Sequence, residues 1–169
     1  MINRPALVSE TENVVRILHR DWVVNGILQH YAFVLRRNEA YISVNRPVVP
    51  SFDADVASFV THHPDYYADE NKMGYRRAVL NVGAVRQTEV MINDIKLDID
   101  VDVEPRDTFA KSHAGIFTRY EGRNIKTGDF LSINPLEEVS SDDILLEVRS
   151  RLLDLAQLEY CKINPTIQL

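Results

Sequence analysis

The stretch IKLDIDVDVEP, residues 95–105, decides the fold of this chain. Apolar and charged side chains alternate along it without exception as far as Pro105, where the pattern ends. A period of two is typical of a β-strand that buries one face and exposes the other to water. The segment therefore predicts a half-buried strand whose wet face carries Lys96, Asp98, Asp100, Asp102 and Glu104.

Segments on either side of this stretch predict further strands of the same sheet. Residues 41–44, 78–85 and 112–118 contain β-branched, aromatic and other apolar side chains in short runs, which favours strands. Gly83, within the second run, predicts a bulge or a close backbone contact. Because helices do not alternate regularly with these strands along the chain, the sheet is predicted to be mostly antiparallel.

The first third of the chain contains a predicted hairpin and an ambiguous segment. HYAFVLRRNEAYISVNRP, residues 30–47, predicts a β-hairpin whose strands are joined by a short charged tip at residues 37–39. Its first strand is predicted at residues 31–35. Residues 9–18 leave two interpretations open, because Ser9 and Glu12 fit a capping box that starts a short helix, whereas the β-branched residues that follow suit a strand.

Two helices are predicted from capping residues and apolar spacing. Ser51 or Asp53 can cap a short central helix, and residues 61–77, which follow it, are predicted to form a loop. Ser140 or Ser141 can cap a long helix near the C-terminus. Its apolar side chains recur at helical spacing, namely Ile144, Leu145, Val148, Leu152, Leu155 and Leu158.

These elements predict an α+β fold in a single domain spanning residues 1–169. The order, strands in runs and the strongest helix last, favours a mostly antiparallel sheet with a short central helix and a long C-terminal helix. The chain has 169 residues, of which 45% are apolar and 26% charged, the composition of an ordinary globular domain. We expect the core to span residues 14–160 and the tail, residues 161–169, to be irregular.

Charge and motif content argue against several functional classes. A formal net charge of −6 disfavours a nucleic-acid partner, because phosphate contacts need a basic surface. The single cysteine, Cys161, rules out an internal disulfide. Without a visible signal peptide or an apolar run of membrane-spanning length, we expect a cytoplasmic protein with no membrane partner. No nucleotide-binding glycine motif or metal-ligand pattern is recognisable, so no cofactor or metal is predicted, although the pair His62-His63 leaves a metal ligand open.

Two surfaces are candidates for a protein partner. The acidic face of residues 96–104 is interpreted as a solvated sheet face, with a docking surface for a basic partner as the alternative. The apolar stripe of the predicted final helix either packs on the sheet or mediates a homodimer.

A few residue types suggest chemistry. His19 and His113 can titrate near neutral pH and serve as acid or base, and Ser43 is a candidate nucleophile beside them. Arg20 and Arg36, with Glu39, are candidate ligand contacts, because arginine binds phosphate and carboxylate groups through two parallel hydrogen bonds. The alternative for each histidine is a structural role, and for the residues near Arg36 a solvated hairpin tip.

The order of several short motifs resembles a family of small uncharacterised bacterial proteins. HRDWVVNG, HYAF, YISV, NVGAVR and SHAGI follow one another over residues 14–118, in the family's order of an Ala-Phe, a Leu-Ser-Val-like strand, a valine-rich strand and a His-Ala pair. The resemblance implies a domain type rather than a reaction. The matching positions are His19, Trp22, Ala32, Phe33, Ile42, Ser43, Val44, Val82, Gly83, Val85, His113 and Ala114.

Two functional hypotheses follow. The absence of a specific catalytic motif favours a non-enzymatic binding or accessory domain of a bacterial cytoplasmic system. The recurrence of arginine near the predicted strands, together with His19 and His113, supports the alternative of a small enzyme acting on a phosphorylated or nucleotide-like ligand.

Overall fold

A computed structural model describes residues 7–106, 110–134 and 137–163 of the chain. Its helices are α1 (Phe52–His62), α2 (Pro64–Tyr67), α3 (Val82–Arg86) and α4 (Ser141–Leu155), and 3-10 turns cover Arg20–Trp22 and His30–Phe33. The strands are β1 (Asn13–Ile17), β2 (Val23–Val24), β3 (Ile27–Leu28), β4 (Ile42–Asn45), β5 (Gly74–Asn81), β6 (Val90–Ile92), β7 (Ile95–Leu97), β8 (Ile99–Pro105), β9 (His113–Tyr120), β10 (Arg123–Asn124), β11 (Phe130–Asn134), β12 (Glu137–Ser140) and β13 (Gln157–Lys162).

The main sheet has seven strands, and every pair in it is antiparallel. Its strands run in the order β10-β9-β4-β1-β5-β13, and β8 pairs with β9 as well. Three small two-stranded sheets, β2–β3, β6–β7 and β11–β12, accompany it. The predicted α+β fold with a mostly antiparallel sheet is confirmed.

Helices cover both faces of this sheet. On one face, α4 buries Ile144, Val148 and Leu152 in the larger core cluster, together with side chains of β1, β4, β5, β8 and β9. On the other face, α1 buries Phe52, Val56 and Val60 against β1 and β5. The α4 stripe that could have served a homodimer is therefore largely packed inside the chain's own core.

The alternating stretch forms two strands, β7 and β8, separated at Asp98. The apolar residues Leu97, Ile99, Val101 and Val103 are buried as the period of two predicts, whereas Ile95, at the start of β7, is 45% exposed. The opposite face is less solvated than expected, because two of its carboxylates are paired within the chain. Asp102 accepts a hydrogen bond from Arg86 Nε at 2.6 Å, and Glu104 lies 2.8 Å from Arg119 Nη1.

The hairpin predicted at residues 30–47 is not present. The second strand forms as β4, but residues 30–33 form a 3-10 turn in which Ala32 N donates to Gln29 O. The turn buries the adjacent residues Ala32 and Phe33 in the core. Its backbone is satisfied by a side chain rather than by a partner strand, because Arg16 Nε donates to Ala32 O.

Other strands and helices begin or end at residues different from those predicted. The strand predicted at residues 78–85 begins earlier, at Gly74, and ends at Asn81, whose side chain caps α3 by accepting from Ala84 N. The loop predicted at residues 61–77 contains α2 and the start of β5. The ambiguous N-terminal segment is a strand, β1, and the buried side chain of Val8 extends the core before residue 14.

The C-terminal region follows the prediction for the helix but not for the tail. Helix α4 begins after Ser140, whose hydroxyl accepts from Asp142 N as an N-cap, and it ends at Leu155. Leu158, Cys161 and Lys162 then lie in β13, which pairs with β5 from Gln157 to Lys162. The expectation of an irregular tail is therefore wrong for residues 161–162, because the exposed edge of β5 offers backbone groups that a strand satisfies. Residues 164–169 lie outside the described residues.

We expect Leu152→Ala to lower the free energy of unfolding by about 2–5 kcal/mol, because it leaves a cavity where α4 meets the sheet. Urea denaturation followed by circular dichroism measures this change. The matched control is Leu146→Ala on the same helix, whose side chain is 47% exposed; it should change stability by no more than about 0.5 kcal/mol. Equal effects of the two substitutions would contradict the packing of α4 described above.

Candidate ligand-binding site

The register of three neighbouring strands aligns polar side chains on one face of the sheet. Asn45 of β4 lies opposite both Val15 of β1 and His113 of β9. Ser43 lies opposite Gly115, one step along the same face. Residues directly opposite in an antiparallel pair share a face, and this is the face that α1 covers over β1 and β5.

A cavity of about 450 Å³ lies on this face. The sheet forms its floor, α1 and α2 contribute one side, and the segment that leads into β4 contributes the other. Its volume falls within the range of roughly 300–1,000 Å³ that small-molecule sites occupy. The lining residues are Arg16, Ile17, Trp22, Arg36, Glu39, Tyr41, Ser43, Asn45, Asp55, Phe59, Tyr67, Ala110 and His113.

Arg16 occupies the place where β1 and β4 separate. These strands pair only at Val15 and Asn45, and beyond that pair the Arg16 side chain bridges them. Its Nε donates to Ala32 O at 2.5 Å and its Nη1 donates to Ser43 O at 2.8 Å. The guanidinium also lies over the Trp22 ring, 5.2 Å from its centroid.

The charge of Arg16 has no carboxylate within ion-pair distance in the part of the chain that the structure describes. The pKa of Arg16 is lowered to about 10, chiefly by burial, while Glu39 and Tyr67 oppose the shift and the charge of Arg36 adds a smaller lowering. The group therefore stays protonated at neutral pH. Only two of its five N–H donors bond to carbonyl groups, so the rest are available to a ligand.

Arg36 and Glu39 form a turn at the edge of the cavity. Arg36 N donates to Glu39 Oε2 at 2.9 Å, and Glu39 N donates to Arg36 O. The Glu39 carboxylate therefore holds the backbone of the turn. The Arg36 guanidinium is exposed and takes part in no ion pair among the described residues.

Aromatic rings supply the apolar surface of the cavity. The Phe59 and Tyr67 rings lie 4.6 Å apart between centroids, and Phe59 is 40% exposed because it faces this space. The Tyr41 ring rests on Gly115, where an added Cβ would lie 2.5 Å from Tyr41 Cδ2. Glycine at this position therefore lets the tyrosine lie flat on β9.

A chain of hydrogen bonds lies at the Asn45 end of the cavity. Asn45 Nδ2 donates to Ser112 Oγ at 3.0 Å. Asp55 Oδ2 accepts from Ser112 N at 3.0 Å and from Ser51 Oγ at 2.8 Å. Burial alone would raise the pKa of Asp55, but the hydrogen bonds from Ser112 and Ser51 outweigh it and hold the pKa below its ordinary value.

His113 lines the same end. Burial lowers the pKa of the His113 imidazole below its ordinary value, and the positive charge of Arg106 acts in the same direction, while a hydrogen bond with the Arg106 backbone opposes them. The Arg106 guanidinium lies 5.1 Å from the Tyr41 ring centroid. The imidazole is therefore neutral at pH 7.

The structure brings four of the six predicted site residues to one cavity. Ser43, Arg36, Glu39 and His113 line it. His19 lines an adjoining cleft that shares Arg16, Trp22 and Arg36 with it, and its Nδ1 caps a 3-10 turn by accepting from Asp21 N. Arg20 lines a third cleft, which also contains Asp69 and Tyr160.

Several lining residues were not among the six candidate site residues, although Arg16 was one of the arginines that recur near the predicted strands. Arg16 carried a detectable signal, because it lies between Val15 and Ile17 in an apolar strand where a charged side chain is unexpected. Asn45 and Asp55 carried none, since their role depends on Ser112, which is distant in sequence.

Comparison with protein-family models, curated proteins and solved structures finds no match to this chain. Among the described residues, no helix is long and apolar enough to span a membrane, and no group of three or more His, Cys, Asp or Glu residues is placed to hold a metal.

We expect Arg16→Lys to lower the free energy of unfolding by about 1–3 kcal/mol, because an ammonium cannot reproduce the fork that reaches Ala32 O and Ser43 O together. Chemical denaturation measures the change. Arg20→Lys is the control, since the exposed Arg20 side chain makes no hydrogen bond to a described residue. A loss of stability in the control equal to that in Arg16→Lys would contradict this role.

The lowered pKa of His113 predicts a pH dependence of stability. Between the unfolded pKa of about 6.5 and the lower folded pKa, the unfolded chain binds the proton and the folded chain does not, so stability falls as the pH falls. Urea denaturation at several pH values from 7.5 to 5 should show a steeper fall in the wild type than in His113→Asn. Parallel curves would contradict the shift.

Proposed function

We propose that this chain is a non-enzymatic binding domain for a small ligand that carries a phosphate or carboxylate group and a flat apolar part. The observation that carries the proposal is the pair Arg16 and Arg36, two guanidinium groups without carboxylate partners among the described residues, which face one cavity walled by aromatic rings. Arginine binds such anions through paired hydrogen bonds.

The charges around the cavity support an anion rather than a cation at this end. Glu39 is held by the backbone of its own turn, and Asp55 is held by serine donors at the Asn45 end. The two arginines carry like charges, and Arg36 lowers the pKa of Arg16, although the Glu39 carboxylate raises it by more. An anion between them would remove the repulsion of these like charges in a partly desolvated site, where charge pairs are strengthened.

An enzyme acting on a phosphorylated or nucleotide-like ligand is the second candidate. The observation in its favour is that Ser43 and His113 line the cavity together, with a neutral imidazole that suits a general base. Binding is the preferred proposal because the second histidine of the predicted acid–base pair, His19, lies in the adjoining cleft.

The proposal includes a cytoplasmic location, which the single free thiol at Cys161 supports. A protein partner on the acidic strand and a homodimer through α4 also stay predictions, and the exposed residues narrow where each could form. Asp98 and Asp100 are the exposed carboxylates of the acidic face, and Leu146 and Leu155 are the exposed apolar residues of α4.

We expect Arg36→Ala to weaken binding of an anionic aromatic ligand about tenfold or more, because a hydrogen-bonded charge pair contributes about 1.5–3 kcal/mol. A thermal-shift screen of phosphorylated metabolites and aromatic carboxylates identifies ligands, and calorimetry measures their affinity. The variant should fold normally, because the Arg36 side chain is exposed.

The matched control is Arg37→Ala, which removes the same charge from the next residue, also exposed but outside the cavity lining. This control distinguishes the loss of a contact in the cavity from a change in the overall electrostatic potential of the protein. Equal losses in the two variants, or a screen in which no anion stabilises the protein, would overturn the proposal.

A further inference from the structure

The Asn45 end of the cavity presents hydrogen-bond acceptors in a defined orientation. Ser112 is fully buried and lies between Asn45 and Asp55. Its hydroxyl donates towards the Asp55 carboxylate, which contributes to the lowered pKa of Asp55. The hydroxyl oxygen must therefore accept from Asn45, as the 3.0 Å bond from Asn45 Nδ2 shows.

This direction of donation fixes the Asn45 amide. Because Nδ2 points to Ser112, the amide oxygen Oδ1 is the group left for a ligand, and it takes no hydrogen bond from any residue that the structure describes. A carboxylate and an amide oxygen both accept hydrogen bonds. The two ends of the cavity therefore differ in their hydrogen-bonding groups. Arg16 and Arg36 offer donors at one end, and Asn45 and Asp55 offer acceptors at the other.

The distance between these ends suits a small phosphorylated sugar. Arg16 Nη1 bonds to the carbonyl group of Ser43, and Asn45 lies two residues further along β4, which is about 6.6 Å in a strand. Aromatic rings line the cavity beside the path from Arg16 to Asn45, and such rings pack against flat heterocycles. A phosphate at one end and hydroxyl groups at the other match the donors and the acceptors.

We infer that the cavity recognises a phosphorylated pentose of the nucleoside 5′-monophosphate class, with the phosphate on Arg16 and Arg36 and the sugar hydroxyl groups on Asn45 Oδ1 and the Asp55 carboxylate. This inference rests on the proposed function and assigns Asn45 as a residue that determines specificity. An acceptor that a bound ligand seals from water and leaves unpaired disfavours a ligand that lacks the hydroxyl group, so discrimination between such ligands is the property to measure.

Calorimetry of the wild-type protein tests the inference without any substitution. The probes are the four ribonucleoside 5′-monophosphates, their 2′,3′-dideoxy analogues, ribose 5-phosphate, inorganic phosphate and benzoate. At least one ribonucleotide should bind tenfold or more tightly than its dideoxy analogue, and ribose 5-phosphate should bind more tightly than inorganic phosphate.

Asn45→Ala should remove this preference, so that a ribonucleotide and its dideoxy analogue bind with similar affinity, while Arg36→Ala weakens both. Asn38→Ala is the control, because Asn38 is exposed and lies outside the cavity lining. Circular dichroism verifies that each variant is folded. If Asn45→Ala does not fold, the comparison of ligands on the wild-type protein still tests the inference.

The outcomes separate this inference from the proposed function. If ribonucleotides and their dideoxy analogues bind the wild type with equal affinity, the inference fails and the proposed function stands. The same holds if benzoate is the only probe that binds and Arg36→Ala weakens its binding. If no probe binds and the metabolite screen also finds no ligand, both fail. A tenfold preference that persists in Asn45→Ala would overturn the role of Asn45.

Discussion

The half-buried guanidinium of Arg16 makes the interaction on which the candidate site depends. It stands where β1 and β4 cease to pair, and it satisfies carbonyl groups of the 3-10 turn and of β4 that strand pairing leaves open. Burying a charge is costly unless it is hydrogen-bonded or paired. Two carbonyl groups and the Trp22 ring compensate part of that free-energy cost, and an anionic ligand would compensate the remainder.

The same separation of strands creates the space for a ligand. Helix α1 covers the sheet over β1 and β5, and β4 and β9 contribute the uncovered part of the face. The cavity therefore lies at the border between a packed and an open half of the sheet. Its walls come from segments far apart in sequence, held by a sheet whose long strand pairs resist deformation, and such preorganisation lowers the entropy lost on binding.

The charges of this protein divide into those that hold the fold and those that face the cavity. Glu12 and Arg46 form two hydrogen bonds of 3.0 and 2.9 Å, and Arg86 and Arg119 neutralise carboxylates of β8. The strand whose sequence predicts a solvated acidic face is thus partly ion-paired. The arginines of the cavity differ, because the described part of the chain offers them no carboxylate partner.

The sequence by itself determined the elements whose period or caps are local. Alternation specified β8, a strand with one buried apolar face, and Ser140 with the apolar spacing of α4 specified the helix. Where local signals were insufficient, tertiary contacts decided. Ala32 and Phe33 lie in a turn in which Arg16 Nε donates to Ala32 O, and residues 157–162 pair with the edge of β5 rather than continuing a helix.

Candidate residues such as Ser43, Arg36, Glu39 and His113 were recognisable from their chemistry, but their convergence was not. Only the tertiary structure decided that they share a cavity, that His19 and Arg20 lie in other clefts, and that Asn45 and Asp55 meet through Ser112. The physical reason is that strand register and helix packing bring together residues up to about a hundred positions apart, and the energy of those contacts belongs to no single segment.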